Sequence, residues 1–195
     1  MVIYDDMGGL NAARLFWELE RIGHPEVSVL DGGLVAWILK GGKVDNKSVI
    51  HPPTNYRLGG GGRANEARLH EVRKASEKGA GQLLDVRNAE EYAGDPKEPR
   101  TGHVPRARHW PWDQAVDFAG GFVRRDRQTL LQSFKEAGVG GRKAPIIVYC
   151  RSGRRAAQTY LTLRDLGYEN VKIYAEFINE YSAASTAPLK QGDEP

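Results

Sequence analysis

Residues 146–157, Ile146-Ile147-Val148-Tyr149-Cys150-Arg151-Ser152-Gly153-Arg154-Arg155-Ala156-Ala157, carry the only cysteine of the 195-residue chain. Four apolar, mostly β-branched residues come first and read as a buried strand. A polar, arginine-rich turn with one glycine follows, and residues 156–166 read as a helix. Strand, turn and helix in that order form the repeating unit of a parallel α/β sheet. The same order recurs along the chain. Residues 83–86 and Val171–Tyr174 read as further strands, with helices over 64–78, from Asn88 to Tyr92, and over 130–137. The fold class expected is α/β, an open parallel sheet flanked by helices.

A second copy of the opening stretch lies near the amino terminus. Laid over the carboxyl-terminal segment, Tyr4 falls on Tyr149, Ala12-Ala13 on Ala156-Ala157, Gly23 on Gly167, Val27 on Val171 and Trp37 on Tyr181. In this copy residues 2–4 and 27–30 read as strands and 12–22 as a helix. Self-similarity of this kind implies two related units. Asp5 takes the place of Cys150, and a carboxylate cannot carry sulfur. Between the copies, His51-Pro52-Pro53 and the run Gly59-Gly60-Gly61-Gly62 read as a linker, because four glycines resist ordering into helix or strand. The division expected is residues 1–48, a linker at 49–63, and a larger unit at 64–195.

Cys150 closes its strand at the carboxyl end, the edge where open α/β sheets bind ligands. The turn's N–H groups and the following helix amino terminus form an anion cradle. Arg151, Arg154 and Arg155 add cations, and such surroundings turn a thiol into a ready thiolate. A nucleophile attacking an anionic substrate is the function that fits; a buried structural cysteine is the plainer alternative.

The loop from Cys150 through Arg151, Ser152, Gly153, Arg154 and Arg155 resembles the six-residue active-site loop of rhodanese-family sulfurtransferases. Residues 83–94, LLDVRNAEEYAG, and 100–112, RTGHVPRARHWPW, are similar to two further motifs of that family. The amino-terminal copy resembles the end of the inactive first domain of a tandem-domain thiosulfate or 3-mercaptopyruvate sulfurtransferase. The resemblance implies a relay in which Cys150 takes sulfur from thiosulfate as a persulfide and passes it to cyanide or a thiol, with no cofactor or metal. It also implies supporting roles for Asp85 and Arg87, while Glu91 stands where thiosulfate enzymes of the vertebrate type place a substrate-binding arginine. His103 is expected to brace its loop rather than act as a base. Arg106 replaces a glycine usual in the second motif.

Alternatives separate by chemistry. A phosphatase needs Cys-x5-Arg, and that position holds Ala156. The charged loop favours thiosulfate over mercaptopyruvate, and a persulfide carrier or sulfur-sensing module is the reading outside enzymes. By the resemblance the first copy starts at its fourth strand, so it must lean on the larger unit, pair in a homodimer, or descend from a longer ancestor. A net charge of +3 with both signs interspersed speaks against nucleic acid. No apolar run approaches the roughly 18 residues of a membrane span. A lone free thiol fits the cytoplasm. Trp17, Trp37, Trp110 and Trp112 are expected in core or interdomain packing.

Overall fold

In the computed structural model, residues 1–24, 26–57 and 61–195 are described. The sheet has five strands, all parallel: β3 (Glu66–Ala67), β4 (Gln82–Asp85), β5 (Ala107–His109), β8 (Ile146–Tyr149) and β9 (Val171–Tyr174), in the spatial order β3-β9-β8-β4-β5. β8 lies at the centre with all four residues buried. That is why its sequence is an unbroken apolar run: helices cover both faces, so neither face can be polar. Side chains alternate between two cores. Ile146, Val148 and Cys150 enter one with Trp110, Phe134 and Tyr160. Ile147 and Tyr149 enter the other with Leu83, Tyr174 and Tyr181.

The order of strands places a crevice. From β4 the chain steps outward to β5, whereas from β8 it steps the opposite way to β9. The carboxyl ends of β4 and β8, neighbours paired as Asp85 with Tyr149, therefore flank the point where the winding reverses. Open sheets bind ligands at that point.

The helices are α3 (Leu69–Lys78), α4 (Ala89–Ala93), α5 (Arg127–Glu136), α6 (Arg154–Asp165) and α7 (Phe177–Ala183). A short hairpin joins β6 (Val116–Asp117) to β7 (Val123–Arg124). The amino-terminal segment contributes β1 (Val2–Ile3), α1 (Leu10–Arg21), β2 (Ser28–Val29) and α2 (Gly33–Leu39), with β1 and β2 paired in parallel. α1 lies along α6. Its Ala13 and Trp17 belong to the same buried cluster as Ala156, Ala157 and Tyr160. Trp17 Nε1 donates to the Asn65 carbonyl at 3.1 Å, and the Tyr160 hydroxyl bonds Glu20. No helix among the described residues is long and apolar enough to cross a membrane.

Two expectations need correction. Residues 64–78 are not one helix: Glu66–Ala67 is an edge strand registered on Ile173 and Tyr174, and the helix begins only at Leu69. The Asn65 carbonyl accepts N–H groups from Ile173 and Trp17, so bonds across the molecule outweigh the local helical tendency. Trp37 is not a core residue. It is 47% exposed, and its Nε1 donates to the Lys43 carbonyl. Of the glycine run, Gly59 and Gly60 lie outside the described residues; residues 49–57 are exposed and in neither helix nor strand.

Candidate active site

Cys150 follows β8 directly and is fully buried. The Gly153 N–H donates to Cys150 Sγ at 3.1 Å. Gly153 is the residue before α6 and has φ of 83°, in the left-handed region that glycine enters without strain. This conformation turns the chain so that an N–H points back at the sulfur. The Cys150 carbonyl accepts the Ile178 N–H at 3.2 Å, which pins the strand end to α7. Arg151, Ser152 and Arg154 are exposed on the rim of the loop.

The amino-terminal copy shows what this loop shape does. Asp5 accepts four backbone N–H bonds, from Met7 and Gly9 at 3.0 and 2.9 Å and from Asn11 and Ala12 at 2.8 and 2.9 Å. Gly9 before α1 has φ of 89°, the counterpart of Gly153. Burial alone would raise the Asp5 carboxyl, but the four N–H groups outweigh it and hold the group below its usual 3.8. The loop form is thus a nest that gathers N–H groups around one negative charge.

Asp85, Arg87 and Glu91, expected as supporting residues, and Arg155 of the loop stand in two pairs. Asp85 is fully buried at the end of β4, and Arg87 reaches back to it, with Nε to Oδ1 at 2.9 Å. Arg87 Nη2 also donates to the Gly102 carbonyl at 2.8 Å, tying the strand end to the next segment. Burial opposes the charge on Arg87, but Asp85 more than offsets it. In the second pair, Arg155 gives both terminal nitrogens to Glu91, at 2.5 and 3.0 Å. Burial would raise the Glu91 carboxyl, yet the Arg155 guanidinium holds it below the usual carboxylate range.

A cleft of about 420 Å³ opens beside the loop, between α4, residues 94–102 and α7. Arg87, Glu91 and Arg151 line it. The sequence offered no sign of Arg100, which lines it too and donates to the carbonyls of Ser182, Ala184 and Ala187. Its φ of 69° and its reach across more than 80 residues leave no local pattern to read. His103 is buried, its ring stacked on Tyr92 at 3.8 Å and bonded to the Tyr92 and Glu194 carbonyls. Burial lowers its basicity, and the ring ties its own segment to the Tyr92 and Glu194 carbonyls. Arg106 takes a φ of 68°, so the turn keeps the left-handed form that glycine would adopt more cheaply. Among the described residues, no three His, Cys, Asp or Glu side chains gather as a metal site.

Residues 68–184 match the model of the rhodanese-like domain. The chain belongs to the rhodanese family. A Mycobacterium leprae protein named as a thiosulfate sulfurtransferase is 34% identical over 98% of this chain and 71% of its own length. A Thermus thermophilus protein, "Sulfur carrier protein TtuD", is 30% identical over the whole chain and 72% of the relative. Among solved structures, SseA of Escherichia coli, described as a 3-mercaptopyruvate sulfotransferase, superposes with a TM-score of 0.76 and 29% identity. The match covers 89% of this chain, which spans only 64% of that enzyme. An ergothioneine biosynthesis enzyme from Chlorobium limicola shares the fold, with a TM-score of 0.85 at 20% identity over 51% of its length.

Proposed function

We propose that this rhodanese-family chain transfers sulfane sulfur through a persulfide on Cys150, with thiosulfate as donor. The observation that carries the reading is the Gly153 N–H donated to Cys150 Sγ at the head of α6. In the first step the Cys150 thiolate attacks the outer sulfur of thiosulfate. A new S–S bond forms at Cys150, the S–S bond of thiosulfate breaks, and sulfite leaves with the electron pair. In the second step cyanide or a thiolate attacks the terminal sulfur and the Cys150 thiolate leaves. One difficult transfer is split into two easier ones. The loop N–H groups steady the anionic persulfide as the Asp5 loop steadies its carboxylate. Because Cys150 is buried, sulfur must enter the loop, which favours donors ending in a slim, unsubstituted sulfur atom.

In this reading Arg151, Ser152 and Arg154 form the rim that meets the donor, while Asp85 and Arg87 hold the strand end in place. Residues 1–48 act as a sulfur-free counterpart of the catalytic unit, the Asp5 loop replacing the Cys150 loop. Two neighbouring readings have support of their own. The Escherichia coli structure favours 3-mercaptopyruvate as donor, and the name of the Thermus relative favours a carrier that receives sulfur from a protein.

Intact mass after incubation with thiosulfate tests the proposal. A gain of about 32 Da that cyanide removes and that Cys150→Ala lacks is the result expected. Gain only with mercaptopyruvate moves the assignment to that donor, and gain only from a protein persulfide to a carrier. No gain from any donor refutes a role for Cys150 in sulfur transfer.

A further inference from the structure

We propose that Glu91 limits how well the Cys150 loop uses the thiosulfate dianion, so that singly charged organic persulfides are accepted beside it as donors. The inference rests on the reading of Cys150 as the sulfur carrier and deepens it.

α6 opens with Arg154 and Arg155 and has no acidic residue in its first turn. Two cations at the positive end of a helix dipole repel it and call for an anion. Glu91 supplies one permanently through its two-point pair with Arg155. Glu91 cannot swing away easily. Its N–H donates to Asn88 Oδ1 at 2.8 Å, and its carboxylate accepts the Asn88 N–H in return, so the first turn of α4 fixes it.

The cleft is correspondingly short of free positive charge. Its lining has three arginines, Arg87, Arg100 and Arg151, against three carboxylates, Glu90, Glu91 and Asp95. Arg87 is committed to Asp85, and Arg100 to the carbonyls around the end of α7. Arg151 alone of the three has no carboxylate or carbonyl partner among the described residues. A dianion therefore meets two guanidiniums without a carboxylate partner among the described residues, Arg151 in the lining and Arg154 on the loop rim, together with a fixed carboxylate. A donor with a single charge suffers half the repulsion from Glu91.

Both donors follow the same balanced step. The Cys150 thiolate attacks the terminal sulfur, a Cys150 S–S bond forms, and the donor's S–S bond breaks. The electron pair leaves on sulfite from thiosulfate, or on an alkyl thiolate from a persulfide R–S–SH, whose proton stays on the transferred sulfur.

The test compares wild type, Glu91→Gln, Glu91→Asp and Arg155→Gln, with thiosulfate and with glutathione persulfide as donors. Thermal scans confirm that each variant is folded. Removing the Glu91 charge frees Arg155, and thiosulfate kcat/KM is expected to rise on the order of tenfold, the effect one charge commands at short range. The gain falls mainly on KM and weakens with added salt, while persulfide kcat/KM rises only about threefold, half the free-energy effect for a single charge. Glu91→Asp keeps the wild-type donor ratio. Arg155→Gln leaves Glu91 unneutralised and lowers thiosulfate use. A Glu91→Gln enzyme that loads sulfur with an unchanged donor ratio, or with poorer use of thiosulfate, overturns the proposal and leaves the Cys150 relay standing. A wild type that loads sulfur from neither donor overturns the relay itself, and this proposal with it.

Discussion

Trp17→Ala tests whether the amino-terminal segment is part of one folded body. Trp17 is 1% exposed and sits in the buried cluster shared by α1 and α6. The guanidinium groups of Arg14 and Arg21 lie over its ring at 4.5 and 5.4 Å. Truncating a buried tryptophan to alanine costs about 3–5 kcal/mol through lost burial and the cavity left behind. For a chain of this size each kcal/mol shifts Tm by about 2–4 °C, so a fall of roughly 6–20 °C is expected. The indole hydrogen bond is a minor part of this loss. The Asn65 carbonyl also accepts the Ile173 N–H at 2.9 Å, so it keeps a partner. Trp17→Phe should therefore cost only about 1 kcal/mol for the hydrogen bond, plus a small volume loss. The assay is thermal unfolding followed by circular dichroism, with sulfur loading measured on the same samples. One transition that moves down for both signals is expected. A loss under about 1 kcal/mol for the alanine variant, or an early transition that leaves sulfur loading intact, would show that α1 does not share the catalytic core.

Gly153→Ala forces a side chain into the left-handed region at a cost of about 1–2 kcal/mol. By tilting the N–H away from Cys150 it should slow single-turnover sulfur loading on the order of a hundredfold, read by quenched-flow mass spectrometry. Asp5→Asn removes a charge held by four N–H groups, costing about 1–2 kcal/mol at neutral pH once partial exposure is allowed for. Because the folded state holds Asp5 below 3.8, its contribution is fully present above that value and lost as pH falls through the lower folded value. Urea titrations of wild type and variant should therefore converge in acid; a gap that persists there would contradict the assignment. Arg87→Met leaves the buried Asp85 carboxylate without its cation, holding only the residue-87 backbone N–H at 3.1 Å, and should cost about 3–5 kcal/mol in urea unfolding, most of it recovered by adding Asp85→Leu.

The central strands were legible because their burial on two faces leaves its mark in each strand's own residues. Ile146–Tyr149 has the ends read from its apolar run, and Val171–Tyr174 those read from Val171, Ile173 and Tyr174 around Lys172. α4 was equally plain: Asn88 caps it through the Glu91 N–H, a signal written within four residues. β3 and β5 were not legible. Two or three residues such as Glu66–Ala67 carry no period, and only pairing with β9 decides their conformation. The site divides in the same way. The residues from Cys150 to Arg155 are contiguous, so their cradle could be inferred from local chemistry. The pairing of Glu91 with Arg155 joins positions 64 residues apart, brought together only when β4 and β8 pair. Asp85 and Arg87 lie two apart, yet only the fold shows that both are buried and that the arginine also holds the Gly102 carbonyl.

The two loops differ in how they answer to the surrounding solution. Asp5 is tethered to the nest it fills, so its effective concentration there far exceeds that of any salt in a buffer, and free anions cannot displace it. At the Cys150 loop the one fixed carboxylate, Glu91, pairs with Arg155 at the edge and accepts no N–H bond from the loop backbone among the described residues. Sulfate, phosphate or chloride would compete with a donor at that loop alone. Inhibition by simple anions, measured on the whole chain, would therefore report on one half of this near-repeat, while the other half stays silent at any ionic composition that leaves the protein folded.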